Sequence, residues 1–161
     1  MPNQSETADN KDFIAANLPL LSFMKHCGES LGGILGGTQD PREVMFPGGS
    51  SDAVEKVYQD TPQSRYYNGI MAKALKSVVD ALPFDRKISI LEIGAGTGGT
   101  TSALLPVLPP ERTRYVYTDI SPIFTAKGQE RFSGFPFVEY RTLDVSRDPL
   151  QQGFGEGEFD I

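Results

Sequence analysis

The chain has 161 residues, 39% of them hydrophobic, and a formal net charge of −6. That size suits one ordinary core, and the acidic balance argues against broad binding to nucleic acid phosphates or an anionic membrane surface. Cys27 is the one cysteine, which excludes an internal disulfide and a cysteine metal cluster; the opening residues are polar and acidic, unlike a signal peptide, no apolar run approaches membrane-spanning length, and a reducing cytoplasm is the expected location.

Residues 1–12 read as a disordered lead or an added extension. From Phe13 to Leu35 apolar residues recur at helical spacing, and Pro19 and Gly28 are expected to divide the stretch into short helices. Val44-Met45-Phe46-Pro47-Gly48-Gly49-Ser50 reads as an apolar patch closed by a turn, and Ser51–Tyr58 as another short helix. Thr61 and Pro62 form an N-cap and first-turn pair. The apolar stripe Tyr67, Ile70, Met71, Ala74, Leu75, Val78 and Leu82 then predicts a helix that Pro83 ends. The helices of residues 13–82 are short and interrupted by glycine. They are expected to form a helical lid over a ligand site rather than a domain with its own core.

Ile88–Ile93 is a β-branched apolar run that suits a buried parallel strand. It breaks into glycines at 94, 96, 98 and 99, followed by a helix-compatible segment to Leu108. Strand, glycine turn and helix N-terminus make the layout of a nucleotide-binding crossover. Alone, the glycine spacing also fits a dinucleotide site, or a turn that only connects strand to helix. Glu92 adds to it, because a carboxylate inside an apolar strand is costly without a partner such as backbone N–H groups or a cationic ligand.

Arg114–Asp119 reads as a second strand ending in an acid, placed where a carboxylate can accept from both ribose hydroxyls of a nucleoside. Ser121-Pro122 opens a helix that reaches Phe132 and stops at Gly134. Phe137–Leu143 is a third strand ending at Asp144-Val145, and 146–157 is a polar, glycine-rich loop. Phe159-Asp160-Ile161 reads as the start of a fourth strand, expected beside the first strand on the side away from the second. Residues 83–161 are therefore expected to be the front part of a longer α/β domain.

The segments 58–69 and Phe46-Pro47-Gly48-Gly49-Ser50 resemble the region joining lid and core in polyketide synthase C-methyltransferase domains. Leu91–Thr101 resembles their first motif, that of class I S-adenosylmethionine-dependent methyltransferases. Tyr117-Thr118-Asp119-Ile120-Ser121-Pro122 resembles the second and Leu143-Asp144-Val145 the third, so the likeness runs from about Phe13 to Ile161. It implies a Rossmann-like core that binds S-adenosylmethionine, or its product S-adenosylhomocysteine. It implies methyl transfer to the α-carbon of a β-ketoacyl chain on an acyl carrier protein, beside neighbouring synthase domains, with no metal.

By this resemblance Gly94, Ala95, Gly96, Thr97, Gly98 and Gly99 form the cofactor floor. Glu92 orients that loop or approaches the cofactor's amino group. Asp119, with Ser121 following, binds the ribose; Ile120 packs on the adenine; Asp144 accepts from the adenine amino group, with Val145 beside the ring. A plain turn carboxylate is the alternative for Asp144. The family's general base, a histidine after the fourth strand, has no counterpart in these residues, and this fragment alone is expected to be inactive. His26 reads as a capping or solvent-facing side chain, and Cys27 as a small buried hydrophobe. Tyr66 and Tyr67 are candidates for the acceptor pocket or for plain aromatic packing. The competing functions are a nicotinamide-dependent reductase using the same glycine spacing, and a non-catalytic methyltransferase-like scaffold.

Overall fold

The computed structural model describes residues 4–161. Two compact units make up the chain, and the division falls inside one helix, between Tyr67 and Asn68. The first unit contains α1 (Gln4–Leu35), α2 (Pro41–Met45), α3 (Asp52–Asp60) and the start of α4 (Pro62–Ala81). The second contains the rest of α4, then β1 (Ile88–Ile93), α5 (Gly99–Leu104), β2 (Thr113–Asp119), α6 (Pro122–Arg131) and β3 (Val138–Thr142).

Two expectations for the first unit are corrected. The lead is helical from Gln4 onward, while residues 1–3 lie outside the described residues. Pro19 and Gly28 do not divide the stretch: α1 runs through both as one helix of 32 residues. Proline removes a single helical bond, and no capping turn replaces the helix on either side of it. The helix ends where glycine allows a left-handed residue. Gly37 sits at φ +70, and the Thr38 N–H reaches back to the Gly33 carbonyl at 2.8 Å, closing a Schellman turn. Asp40 then caps α2 through the Arg42 N–H. Thr61 caps α4, its hydroxyl accepting from Ser64 N–H at 3.2 Å. Val44 and Val54 are the buried apolar side chains of this unit among the described residues. Phe13, Ile14, Leu18, Leu21 and Met24 of α1 stay exposed.

The second unit is a parallel sheet in the order β1-β2-β3, with Glu92 opposite Tyr117 and Asp119 opposite Thr142. Side chains alternate between its faces. On one face Ile88, Ile90, Tyr115, Tyr117 and Val138 pack with Ala72, Leu75 and Val79 of α4 and with Leu104, Leu105 and Phe132. On the other, Val116 and Leu143 pack with Phe154, and Leu91 and Phe159 lie against them. The lid had been expected to extend to residue 82, but the second half of α4 builds this core. Its inward stripe is Ala72, Leu75 and Val79. The flanking Met71, Ala74 and Val78 line an apolar cleft of about 420 Å³ beside β1.

Residues 159–161 lie along the free edge of β1. Asp160 N–H donates to Ser89 C=O at 2.8 Å, and Leu91 N–H donates to Ile161 C=O at 2.9 Å. This is the side away from β2, where a fourth strand was expected. Two ion pairs tie this segment down. Arg86 reaches Asp160 at 2.7 Å, and Arg114 bridges Glu158 at 2.8 Å while gripping Glu139 with two nitrogens.

Candidate functional site

β1 ends at Ile93 and the chain turns through three left-handed glycines: Gly94 (φ +69), Gly96 (φ +58) and Gly98 (φ +76). An L side chain is strained at all three, yet they face different surroundings. A Cβ at Gly94 would meet nothing within 4 Å, and one at Gly96 would meet only the Gly94 carbonyl at 3.8 Å. One at Gly98 would sit 2.6 Å from the Phe132 ring. The first two glycines leave open space for a ligand against the backbone, and the third seats the loop on the protein.

Every turn of this loop is tied to a neighbouring element. The Ala95 N–H donates to Thr118 C=O at 2.8 Å, and the Gly96 N–H to Asp119 Oδ2 at 2.9 Å. Gly96 C=O accepts from the Tyr117 hydroxyl at 2.7 Å, and Thr97 C=O from Arg131 at 2.9 Å. Gly99 opens α5. Its carbonyl and the Thr100 hydroxyl both meet the side-chain amide of Asn68.

Asp119 is 7% exposed. Its Oδ2 holds Gly96, and its Oδ1 accepts the Ser121 N–H at 2.8 Å. A carboxylate has about four acceptor positions, so each oxygen keeps capacity for one further donor, such as a ribose hydroxyl. Ser121 stands at the N-cap position of α6 without a side-chain cap bond, and its own N–H is the one that Asp119 holds. Ile120, next to Asp119, is 66% exposed.

Glu92 lies on the same sheet face as Tyr115 and Tyr117, two strand positions after Ile90. Its Oε2 accepts from Thr101 Oγ1 at 2.6 Å and from the Tyr115 hydroxyl at 2.8 Å. It thereby fastens β1 to the first turn of α5 and to β2. Burial pushes its carboxyl above the ordinary range, and the two hydroxyl bonds only partly offset that. Burial likewise raises Tyr115 and Tyr117, with the Glu92 charge adding to it, so both phenols remain protonated donors.

Asp144 follows β3. Its Oδ1 accepts from Ser146 N–H at 3.0 Å and Ser146 Oγ at 2.6 Å, and its Oδ2 lies 3.2 Å from Arg147 Nε. The Ser146 bonds hold its carboxyl below the usual range. Val145 beside it is 65% exposed. The turn-carboxylate geometry is thus present, with Oδ2 the less engaged oxygen.

Tyr66 and Tyr67 fall in the first unit, both more than half exposed, their rings edge to face at 5.4 Å. His26 donates from its ring to the Val44 carbonyl at 3.0 Å and staples α1 to α2, as a capping side chain does. The reading of the sequence missed Thr101, Tyr115, Tyr117, Arg131 and Asn68. Strand alternation sets Tyr115 and Tyr117 on one face together, and the register of β1 against β2 makes it the face of Glu92. The arginine and asparagine carried no local signal.

A methyltransferase domain family matches residues 91–161. The chain is 38% identical to the carbon methyltransferase CurJ, whose solved structure superposes with a TM-score of 0.88 over 99% of this chain and 43% of that one. Residues 91–161 thus carry a methyltransferase domain, and over nearly its whole length the chain is similar in sequence and in its class I Rossmann-like fold to carbon methyltransferases. It is 30% identical to the trans-methyltransferase CalH, solved in complex with S-adenosylhomocysteine, over 90% of this chain and 39% of that one, at a TM-score of 0.66. Over 135 residues, 81% of its length, it is 40% identical to the polyketide synthase ThaG of Burkholderia thailandensis. It spans 2% of that synthase and less than a tenth of the other curated relatives, such as pyochelin synthetase PchF of Pseudomonas aeruginosa at 8%.

S-adenosylmethionine is the cofactor of this family, and the residues present fit it. The open faces of Gly94 and Gly96, the spare acceptor positions on Asp119, and the exposed Ile120 and Val145 lie at the ends of β1, β2 and β3. In an open parallel sheet, ligands bind at these strand ends. No helix among the described residues is long and apolar enough to cross a membrane.

Proposed function

We propose that this chain binds S-adenosylmethionine and serves C-methylation of the α-carbon of a β-ketoacyl chain carried on an acyl carrier protein, within a larger synthase. The observation that carries the reading is the Asp119 carboxylate closed onto the Gly96 N–H, beside two glycines whose outer faces are open. Gly94–Thr97 would pack along the methionine part, Asp119 would accept the ribose hydroxyls, and Ile120 and Val145 would flank the adenine near Asp144. When bound, the sulfonium supplies an electrophilic methyl group.

This chain's own contribution is positional. Tyr117, Arg131 and Asp119 fix the loop before a ligand arrives, so little ordering entropy remains to be lost on binding. Glu92 sets α5 against β1. The proton leaves an acidic α-C–H flanked by two carbonyls, and a positioned base takes it. That base is proposed to lie outside these residues, since His26 is engaged with Val44. For Tyr66 and Tyr67 we propose the acceptor side, and for the helical stretch from residue 13 up to the part of α4 that joins the core the role of a lid that excludes water during transfer.

Calorimetry on the full chain with S-adenosylhomocysteine and with reduced nicotinamide cofactors tests the first half. Binding of the former and not the latter is expected, and the reverse would replace this reading by the reductase. Mass spectrometry of a carrier-bound β-ketoacyl chain, incubated with the larger synthase and not with these residues alone, tests the second half. A mass gain of one methyl on the acyl chain is expected, and deletion of residues before Arg65 should abolish it while cofactor binding persists. No transfer by the intact protein to any such substrate would leave the scaffold reading.

A further inference from the structure

We propose that Gln152 is a positioning residue for cofactor specificity. Its side-chain amide holds the turn after β3 so that Asp144 Oδ2 meets the 6-amino group of adenine. The inference rests on the cofactor reading above.

The ladder between β2 and β3 makes its last bond at Leu143, whose N–H donates to Asp119 C=O at 3.0 Å. One residue later no neighbouring strand is available, since β3 is the last strand of the described sheet. Gln152 takes over at that point. Its Oε1 accepts the Asp144 N–H at 2.8 Å, and its Nε2 donates to Asp144 C=O at 2.9 Å. A side-chain amide here does what the next strand would do. The same Nε2 lies 3.3 Å from the carbonyls of Arg147 and Asp148, closing the whole turn around one group.

Gln152 is itself held. It ends a short turn, Pro149–Gln152, which Asp148 caps through the Leu150 N–H at 2.9 Å. Arg141, on β3, donates to the carbonyls of Gln152 and Gly153. Its guanidinium lies 3.8 Å from the centre of the Phe154 ring, and that ring is buried against Val116 and Leu143. A continuous set of contacts thus runs from the sheet core through Arg141 and Gln152 to the backbone of Asp144.

The consequence falls on one oxygen. Gln152 takes the Asp144 N–H and C=O, and Ser146 takes Oδ1 twice. Oδ2 has only Arg147 at 3.2 Å, a side chain 78% exposed that can swing into water. An acceptor fixed in this way reads a donor. Adenine offers an amino group where hypoxanthine offers a carbonyl, and a site built around a donor rejects the analogue that lacks it. A glutamine amide carries an acceptor and two donors on adjacent atoms, the set this position uses. Leucine carries neither, and an ionised glutamate would set negative charge against three carbonyls.

The test measures binding of S-adenosylhomocysteine and of its 6-oxo analogue, S-inosylhomocysteine, to the full chain and to Gln152→Leu and Gln152→Glu. The expected result for Gln152→Leu is about a tenfold loss of affinity for the adenine ligand, the equivalent of one good hydrogen bond, and a preference over the 6-oxo ligand that falls close to one. Gln152→Glu should show the same loss at pH 8. Relative to the unsubstituted protein it should recover toward pH 5, where protonation restores a donor. A purely structural role would lower the melting temperature and leave the preference intact, and that result would overturn the inference. An unsubstituted protein that binds both ligands equally would overturn it too. Absence of any S-adenosylhomocysteine binding by the unsubstituted protein would overturn the cofactor reading first, and this inference with it.

Discussion

The two acids at the strand ends are built differently. Asp119 is almost fully buried, and its two oxygens join different loops: Ser121 on its own turn, and Gly96 from a segment 23 positions away. Asp144 closes only its own turn, through Ser146 and Arg147, and its backbone is secured by Gln152. One carboxylate is a joint of the glycine loop. The other is a local latch whose removal leaves its frame standing. A strand-end acid in the sequence says nothing about which of these it will be, because the partner of Asp119 is set by how β1 and β2 pair.

The comparison predicts unequal losses. Asp119→Ala should cost the most, because it removes acceptors for two ribose hydroxyls and also frees the Gly96 N–H. At about 1.5–3 kcal/mol for each bond to a charged group, S-adenosylhomocysteine affinity should fall on the order of a hundredfold. Calorimetry reads this directly. A dissociation constant within threefold of the original would mean that Asp119 serves the loop and no ligand. The melting temperature should fall as well, by a few degrees, since the half-buried Gly96 N–H loses its partner.

Asp144→Ala comes next, with a loss of about tenfold and little change in melting temperature, because one bond to adenine is removed. The Gln152 bonds go to the Asp144 backbone, and an alanine keeps them. If this variant lost as much affinity as Asp119→Ala, or melted much earlier, the contrast between joint and latch would be wrong.

Much of this architecture was legible along the chain. The three strands, the glycine turn and the Thr61 cap follow from local pattern, which neighbouring residues carry, and the segment beside β1 from the expected order of the sheet. What escaped depends on long-range pairing. Pro19 looked like a break, yet a single proline costs a long helix one bond, and α1 continues through it. The α4 stripe was read one position off in part, because its face is chosen by Ile88, Ile90 and Tyr115, which packing alone brings to it. At the site, the types and order of Gly94, Gly96, Asp119 and Asp144 could be read. That Phe132 fills the space beneath Gly98 while Gly94 stays open could not, nor could the grip of Gln152 on a residue eight positions earlier.

The smallest effect separates support of the glycine loop from contact with the ligand, and Glu92 provides it. Its Oε2 takes both hydroxyls, from Thr101 and Tyr115, and the carbonyl of a glutamine can accept the same two. Burial raises this carboxyl above its ordinary value. An acid with a raised folded-state pKa contributes stability that is fully present below the unfolded value. That contribution is lost as pH rises through the folded value. Above the ordinary glutamate range folding must therefore either bury that charge or take up a proton, a cost that Glu92→Gln lacks. The variant should melt slightly higher at pH 8, and its advantage should shrink as the pH falls toward and below the ordinary glutamate range. Affinity for S-adenosylhomocysteine should stay within about threefold, less than one hydrogen bond's worth, because the oxygen in use is already committed to α5 and β2. Melting curves across pH, paired with calorimetry, decide the matter. A variant that melts lower at pH 8 would show that the two hydroxyl bonds need a charged acceptor. A tenfold loss of affinity at unchanged stability would instead place Glu92 against the cofactor's cationic amino group, and the glycine loop would then take its order from Asp119 and Tyr117 alone.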